Sequence, residues 1–294
     1  MEVRREVAPR WAFRLPLRGG MDGVLRVRGR VVHRLLHVGA EPVVVRVAQS
    51  APDRVLLGAR AAREDSAEEG IARMRFALGV DDDLRPFHER FRSDPLIGGA
   101  VRAEPTLRIP RRPDPWEALA WAVTEQLIEY ARAAAIQRRM VFALGRRCEE
   151  TGLRDVPAPA ALAAVAPARL CGWDLAESRA LALRRAAREI AAGRIDPGGL
   201  AAARRLRAIP GIGTWTVETL ALEGHGRLDA LPAGDLGLRK LVGRLTTHDP
   251  EAVAGEEDVR SFFAPYAPWA GLAARYALRG ARARPGEGVV GRTG

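Results

Sequence analysis

The sequence predicts an α+β protein: a small N-terminal antiparallel β-sheet domain with a helix on it, followed by a mainly α-helical domain. Three observations lead there. β-Branched and aliphatic runs with arginines interleaved crowd the stretch from Val24 to Leu57. From Asp81 onward Ala and Leu dominate, with Pro or Gly punctuating the pattern. The chain has 294 residues, 47% hydrophobic and 28% charged, enough for two ordinary domains. We expect domains over 1–79 and 80–280 and a disordered tail over 281–294, where glycines and a proline leave little to bury.

In chain order, Val24 to Val38 and Val43 to Ala48 read as strands with one wet face, and Pro42 marks their connection. Val55 to Leu57 forms a further strand after the turn-forming Pro52-Asp53. Ser66 with Glu69 three residues on makes a capping box, and Ile71, Met74 and Leu78 mark the buried stripe of a helix. Pro115 suits a first helical turn, and Trp116, Leu119, Val123, Leu127 and Tyr130 keep one apolar face. Taken literally that helix runs to Leu144. Helices in compact domains average about 11 or 12 residues, so a break is expected near Thr124 to Gln126. Later helices are expected near Pro159–Leu170, Ala176–Ala192, Leu200–Ala208, Trp215–Glu223, Leu236–Leu245 and Glu256–Ala264.

The net charge is +11, and Lys240 is the only lysine, so arginine carries almost all of the basic charge. An excess of base over acid is the footprint of a protein that meets a polyanion. No apolar run approaches the roughly 18 residues of a membrane span, and Met1 to Arg10 leads into no signal core, so the expected place is the cytoplasm, with the nucleoid, and no membrane. Cys148 and Cys171 are too few for a four-thiolate cluster and suit a reducing compartment. The five histidines form no ligand-spaced group, so neither a metal nor another cofactor is expected.

The segment from Leu206 to Lys240 carries the chemistry. Ile209-Pro210-Gly211-Ile212-Gly213 makes a short turn between two helical patterns, where glycine backbone admits a phosphate and the next helix opens with unsatisfied N–H groups. Thr216 stands where a dinucleotide fingerprint would need its third glycine, and a helix precedes the turn, so a Rossmann reading fails. An ordinary helix–helix corner would look the same. Twenty residues after Trp215, however, the loop Leu231-Pro232-Ala233-Gly234 ends in Asp235 and another helix begins.

This hairpin, Gly/Pro-rich loop and aspartate resemble the helix-hairpin-helix (HhH-GPD) DNA glycosylase superfamily, and most of all its 3-methyladenine DNA glycosylase II type. Weaker likeness extends from about Pro16 to Leu278 and includes Leu107–Pro110, Gln126-Leu127, Leu170–Arg188 and Pro268-Trp269. The resemblance implies a monofunctional glycosylase acting in base excision repair on double-stranded DNA with an alkylated base flipped out, as a monomer and without a cofactor. It makes Asp235 the catalytic carboxylate; an N-cap is the commoner use of such a residue, and both roles are compatible. Asp229 reads as a turn residue.

Bifunctional relatives hold a lysine where this chain has Trp215, so the resemblance implies hydrolysis without lyase activity. It places Trp215, Trp269 and Thr219 around the base, where aromatic faces favour cationic rings by about 0.5 to 2 kcal/mol. It assigns DNA contact to Gly211, Ile212, Gly213, Thr216, Gln126 and Lys240, and to Leu127 the filling of the gap left by the flipped base. By composition the tryptophans, and by periodicity Leu127, would equally serve a core. Three departures bear on the substrate. Glu125 and Glu129 flank the wedge where small or neutral residues are usual, Thr219 replaces an aromatic wall, and Ala270 replaces an arginine. The alternative is a non-catalytic helix-hairpin-helix DNA-binding paralogue; an RNA-binding module has no support in the sequence.

Overall fold

The computed structural model describes residues 1–199 and 201–283. The chain opens with β1 (Glu2–Val7), β2 (Leu25–Arg28), β3 (Val31–Val38), β4 (Glu41–Ala51) and β5 (Arg54–Arg60). They form one antiparallel sheet in the order β1-β5-β4-β3-β2. The run from Val24 to Val38 divides at Gly29, whose φ of +59° makes the turn between β2 and β3. Pro42 does not mark a connection: it lies at the start of β4 opposite His37, and the turn falls at Gly39-Ala40. The short, highly charged β1 gives no helical or long apolar signal and was not expected.

Helix α1 (Glu64–Leu78) packs on the sheet through Ala67, Ile71 and Met74, against Val43, Val45 and Val47. Its start differs from expectation. Arg63 is the N-cap residue, and Ser66 lies inside the helix with its hydroxyl donating to Glu41 of β4, while Glu69 pairs with Arg73. The capping box is therefore absent, because a tertiary acceptor on the sheet claims the serine. Gly70 marks the closest approach, since a Cβ there would come within 2.6 Å of Val43.

The rest of the described chain is helical: α2 (Arg85–Phe91), α3 (Gly98–Ala103), α4 (Pro115–Glu125), α5 (Tyr130–Leu144), α6 (Pro159–Ala164) and α7 (Pro167–Cys171). Then follow α8 (Glu177–Ala191), α9 (Ala202–Arg207), α10 (Thr214–Thr219), α11 (Leu236–Thr247), α12 (Glu256–Phe263) and α13 (Ala270–Ala283). Helix α13 enters the expected tail by three residues, and residues 284–294 of that tail lie outside the described residues, as does Leu200. The expected helix over Pro159–Leu170 is broken before Pro167 into α6 and α7, because a proline ring disfavours a helical residue before it.

Asp114 caps α4 by accepting the Trp116 amide at 2.8 Å, and Pro115 occupies the first turn. The helix stops where Gln126 turns extended (φ −54°, ψ 125°) and Leu127 takes a left-handed φ of +56°, and α5 resumes at Tyr130. The break thus follows directly on the expected position. α10 continues into a wider π-helical turn over Leu220–Gly224.

Two apolar cores organise the helices. One gathers Leu119 and Val123 of α4, Ile136 of α5, Leu183 of α8, Leu206 of α9 and Val217 of α10. The other gathers Phe87 and Phe91 of α2, Leu238 of α11, Phe263 of α12 and Tyr276 of α13. The sheet is tied to the first by a buried ion pair, Arg34 of β3 to Glu117 of α4 at 2.6 Å. No described helix is long and apolar enough to cross a membrane.

Candidate active site

A cleft of about 610 Å³ opens where the two cores meet. It is lined by Glu125 of α4, Ile128, Tyr130 of α5, and Trp215 and Thr219 of α10, and by Leu222, Leu238, Ala274 and Leu278 of the second core; Asp235 and Arg275 stand on the same lining. Its volume is in the range of small-molecule sites.

The hairpin places Trp215. Ile209 and Ile212 are buried, 8% and 4% exposed, and anchor the turn between α9 and α10. Gly211 has a φ of +91°, and a Cβ there would come 2.9 Å from Ala182 of α8, so the turn closes only with glycine. Gly213 is exposed and faces open space, at the point where α10 leaves its first N–H groups without intrahelical acceptors. The loop before α11 then lies on α10: a Cβ on Gly234 would be 3.4 Å from Trp215 Cβ. The Asp235 amide donates to Pro232 at 2.9 Å, and its carboxylate accepts the Leu238 amide at 3.0 Å, capping α11. Asp235 is half-buried, and it is both a cap and a lining group of the cleft.

The segment between α4 and α5 stands at the cleft edge. Leu127 is 100% exposed, although its neighbours Glu125 and Ile128 line the cleft. Gln126 fixes this segment to the hairpin by donating to Gly211 O at 2.9 Å and to Thr216 Oγ1 at 2.8 Å. Arg179 of α8 donates to Gln126 O at 2.6 Å.

Several expected site residues stand elsewhere. Trp269 is not among the residues lining the cleft; its ring packs edge-on against Phe87 and Phe91, 6.0 and 6.2 Å away, in the second core. Ile212 is a core plug whose amide donates to Ile209 O, and Thr216 is buried and accepts from Gln126. Lys240 is exposed on α11. Asp229 pairs with Arg227 and lies outside the cleft. Thr219 lines the cleft while its hydroxyl donates back to Trp215 O at 2.8 Å.

Sequence reasoning missed Tyr130, Arg112, Glu223 and Arg275, all of which line the cleft. Tyr130 had been counted on an apolar helix face, yet it is 57% exposed. Arg112 lies among Asp22, Glu117, Glu125 and Glu223 at 3.5 to 3.8 Å. Burial disfavours its charge, but these carboxylates outweigh that and raise its pKa. Burial pushes Glu223 up to about 7 against the pull of Arg112, with Glu125 adding to the rise, and burial also raises Glu125 itself. Among the described residues no His, Cys, Asp and Glu group could hold a metal ion.

No protein-family model matches the chain. The probable bifunctional transcriptional activator/DNA repair enzyme AlkA of Mycobacterium tuberculosis is 32% identical over 181 residues, 59% of this chain and 36% of that protein. The chain thus spans little more than a third of that relative. A DNA-3-methyladenine glycosylase of Bacillus subtilis is 26% identical over 220 residues, 72% of each protein. The solved 3-methyladenine DNA glycosylase of Archaeoglobus fulgidus superposes with a TM-score of 0.81 at 18% identity, over 96% of this chain and 99% of that one. At that identity the last likeness is one of fold.

Proposed function

We propose that the chain is a helix-hairpin-helix DNA glycosylase of the 3-methyladenine DNA glycosylase II type, and that it hydrolyses the N-glycosidic bond of alkylated bases flipped out of duplex DNA, leaving an abasic site. The observation that carries this reading is the single cleft lined by both Asp235 and Trp215. As the bond between C1′ and the base nitrogen breaks, its electron pair leaves with the base and positive charge builds on the sugar. A fixed carboxylate in a partly dry site stabilises that charge more than the starting state. Water then attacks C1′, and its proton passes to Asp235 or to solvent.

Trp215 supplies a stacking face for an electron-poor ring. An indole cannot form the Schiff base that lyase chemistry needs, so the reaction ends at the abasic site. Gly211 and Gly213, both exposed on the hairpin turn, give a phosphate room beside the opening N–H groups of α10. Leu127 is the side chain free to enter the stack when the base leaves it.

A duplex with one alkylated purine, incubated with the protein and then with alkali, tests this. Wild type is expected to yield cleaved strands after alkali only, with no adduct trapped by borohydride. Asp235→Asn is expected to lose at least about a thousandfold in rate, the scale of a unit charge about 4 Å away at an effective dielectric of about 20. Asn caps a helix nearly as well as Asp, so the variant should stay folded. Equal rates in wild type and variant would remove Asp235 from the mechanism, and salt-sensitive binding without base release would favour a non-catalytic DNA-binding protein.

A further inference from the structure

Two carboxylates on the cleft lining have no part in the hydrolysis just described. Glu125 closes α4 and Glu223 stands on the π-helical turn after α10, and both share the lining with Trp215 and Asp235. Arg112 lies between them, 3.8 Å from Glu125 and 3.7 Å from Glu223. Those separations are too long for hydrogen bonds, and the buried Arg112 Nε has no hydrogen-bond partner. Arg112 is also shared with Glu117 at 3.7 Å and Asp22 at 3.5 Å, while Arg34 divides itself between Glu117 and Asp155. Arg275, the other guanidinium on the lining, acts on Glu223.

Asp155 is also paired by His37 at 2.8 Å, and Glu125 accepts from Gln137 Nε2 at 3.0 Å; even so, the carboxylates of Asp22, Glu117, Glu125, Glu223 and Asp155 outnumber the guanidiniums of Arg34, Arg112 and Arg275 together with the His37 ring. Of these acids, Glu125 and Glu223 are the ones on the cleft lining. Charge left uncompensated in a poorly hydrated cleft is costly, so burial favours a proton on Glu125 and Glu223, and a cationic ring placed beside them takes that proton's part and restores their charge.

We propose that Glu125 and Glu223 are specificity-determining residues that hold a base whose ring carries a formal positive charge and disfavour its neutral counterparts. The proposal rests on the glycosylase reading and deepens it. It also fixes which kinetic step these residues serve. Bond breakage returns an electron pair to the base and cancels its charge, so the attraction is strongest in the intact substrate and fades toward the transition state. Glu125 and Glu223 thus strengthen capture of the substrate, while Asp235, beside the sugar, accelerates the chemistry.

The test is single-turnover kinetics on two duplexes of one sequence, one carrying 7-methylguanine, whose ring is cationic, and one carrying hypoxanthine, which is neutral. Wild type, Glu125→Gln and Glu223→Gln are compared, each checked by thermal unfolding. In each variant the half-saturating concentration for the 7-methylguanine duplex is expected to rise about tenfold, the scale of one screened charge a few ångströms away, and the rate at saturation is not expected to fall. The ratio of the half-saturating concentrations for the neutral and the cationic lesion, which is the lesion preference read here, should drop by about the same factor. If one variant fails to fold, the other decides. An unchanged lesion preference, or an equal loss of rate on both lesions, would overturn the proposal and leave the glycosylase reading standing. A wild-type protein inert toward both lesions would instead overturn that reading, and this proposal with it.

Discussion

Leu127 offers the sharpest separation between what a side chain does for the fold and what it does for DNA. Its side chain is fully exposed, so Leu127→Ala removes no buried apolar surface from the free protein and should shift its stability by less than about 0.5 kcal/mol. The same exposure leaves the whole side chain available for burial. Moving a leucine from water into an apolar setting contributes about 1.5 to 3 kcal/mol, so its loss should slow base release from duplex DNA by roughly ten- to a hundredfold. The left-handed φ of +56° is retained by alanine and would be relieved by glycine. Leu127→Gly should therefore be no less stable than Leu127→Ala yet equally impaired. The assay is single-turnover release from a duplex and from the same lesion in a single strand. A single strand has no stack to fill, so the deficit should vanish there. Equal deficits on both substrates, or none on either, would refute the wedge.

Glu223 gives a pH signature. Its pKa rises from 4.5 to about 7 in the fold, so the folded state binds this proton more tightly than the unfolded chain. The resulting stability is fully present below about pH 4.5 and is lost as pH rises through about 7. Glu223→Gln should match wild type near pH 4.5 and exceed it by roughly 1 to 3 kcal/mol at pH 8. Thermal unfolding across that range would expose the error if the gain were independent of pH. Trp269→Ala should lower stability by roughly 2 to 4 kcal/mol through lost packing on Phe87 and Phe91, without altering the ratio of rates on cationic and neutral lesions. A changed ratio in a folded variant would return Trp269 to the base pocket.

Much of the framework was legible because local spacing encodes it. A strand-rich beginning, a helical remainder and a helix too long to be unbroken were read from periodicity, and the break falls where Gln126 leaves helical geometry. The glycines of the hairpin marked a tight turn, and Gly211 proves to need both its positive φ and its missing Cβ. Local spacing gave no sign of the places where a distant partner decided a side chain's contacts. Ser66 was claimed by Glu41, Trp269 by the aromatic cluster of α2, and Thr216 by Gln126. Ile212, to which the resemblance assigns DNA contact, is buried as a plug under the turn.

By itself, then, the sequence determined the turn, the aspartate twenty residues beyond Trp215, and the resemblance these carry. Those features depend on backbone geometry within a few residues and on linear spacing. Only the tertiary structure decided that Tyr130, Glu125, Glu223 and Arg275 share a cleft with them. That cleft forms where two separately packed cores meet, and its lining is set by contacts between residues far apart in the chain, which no local periodicity records.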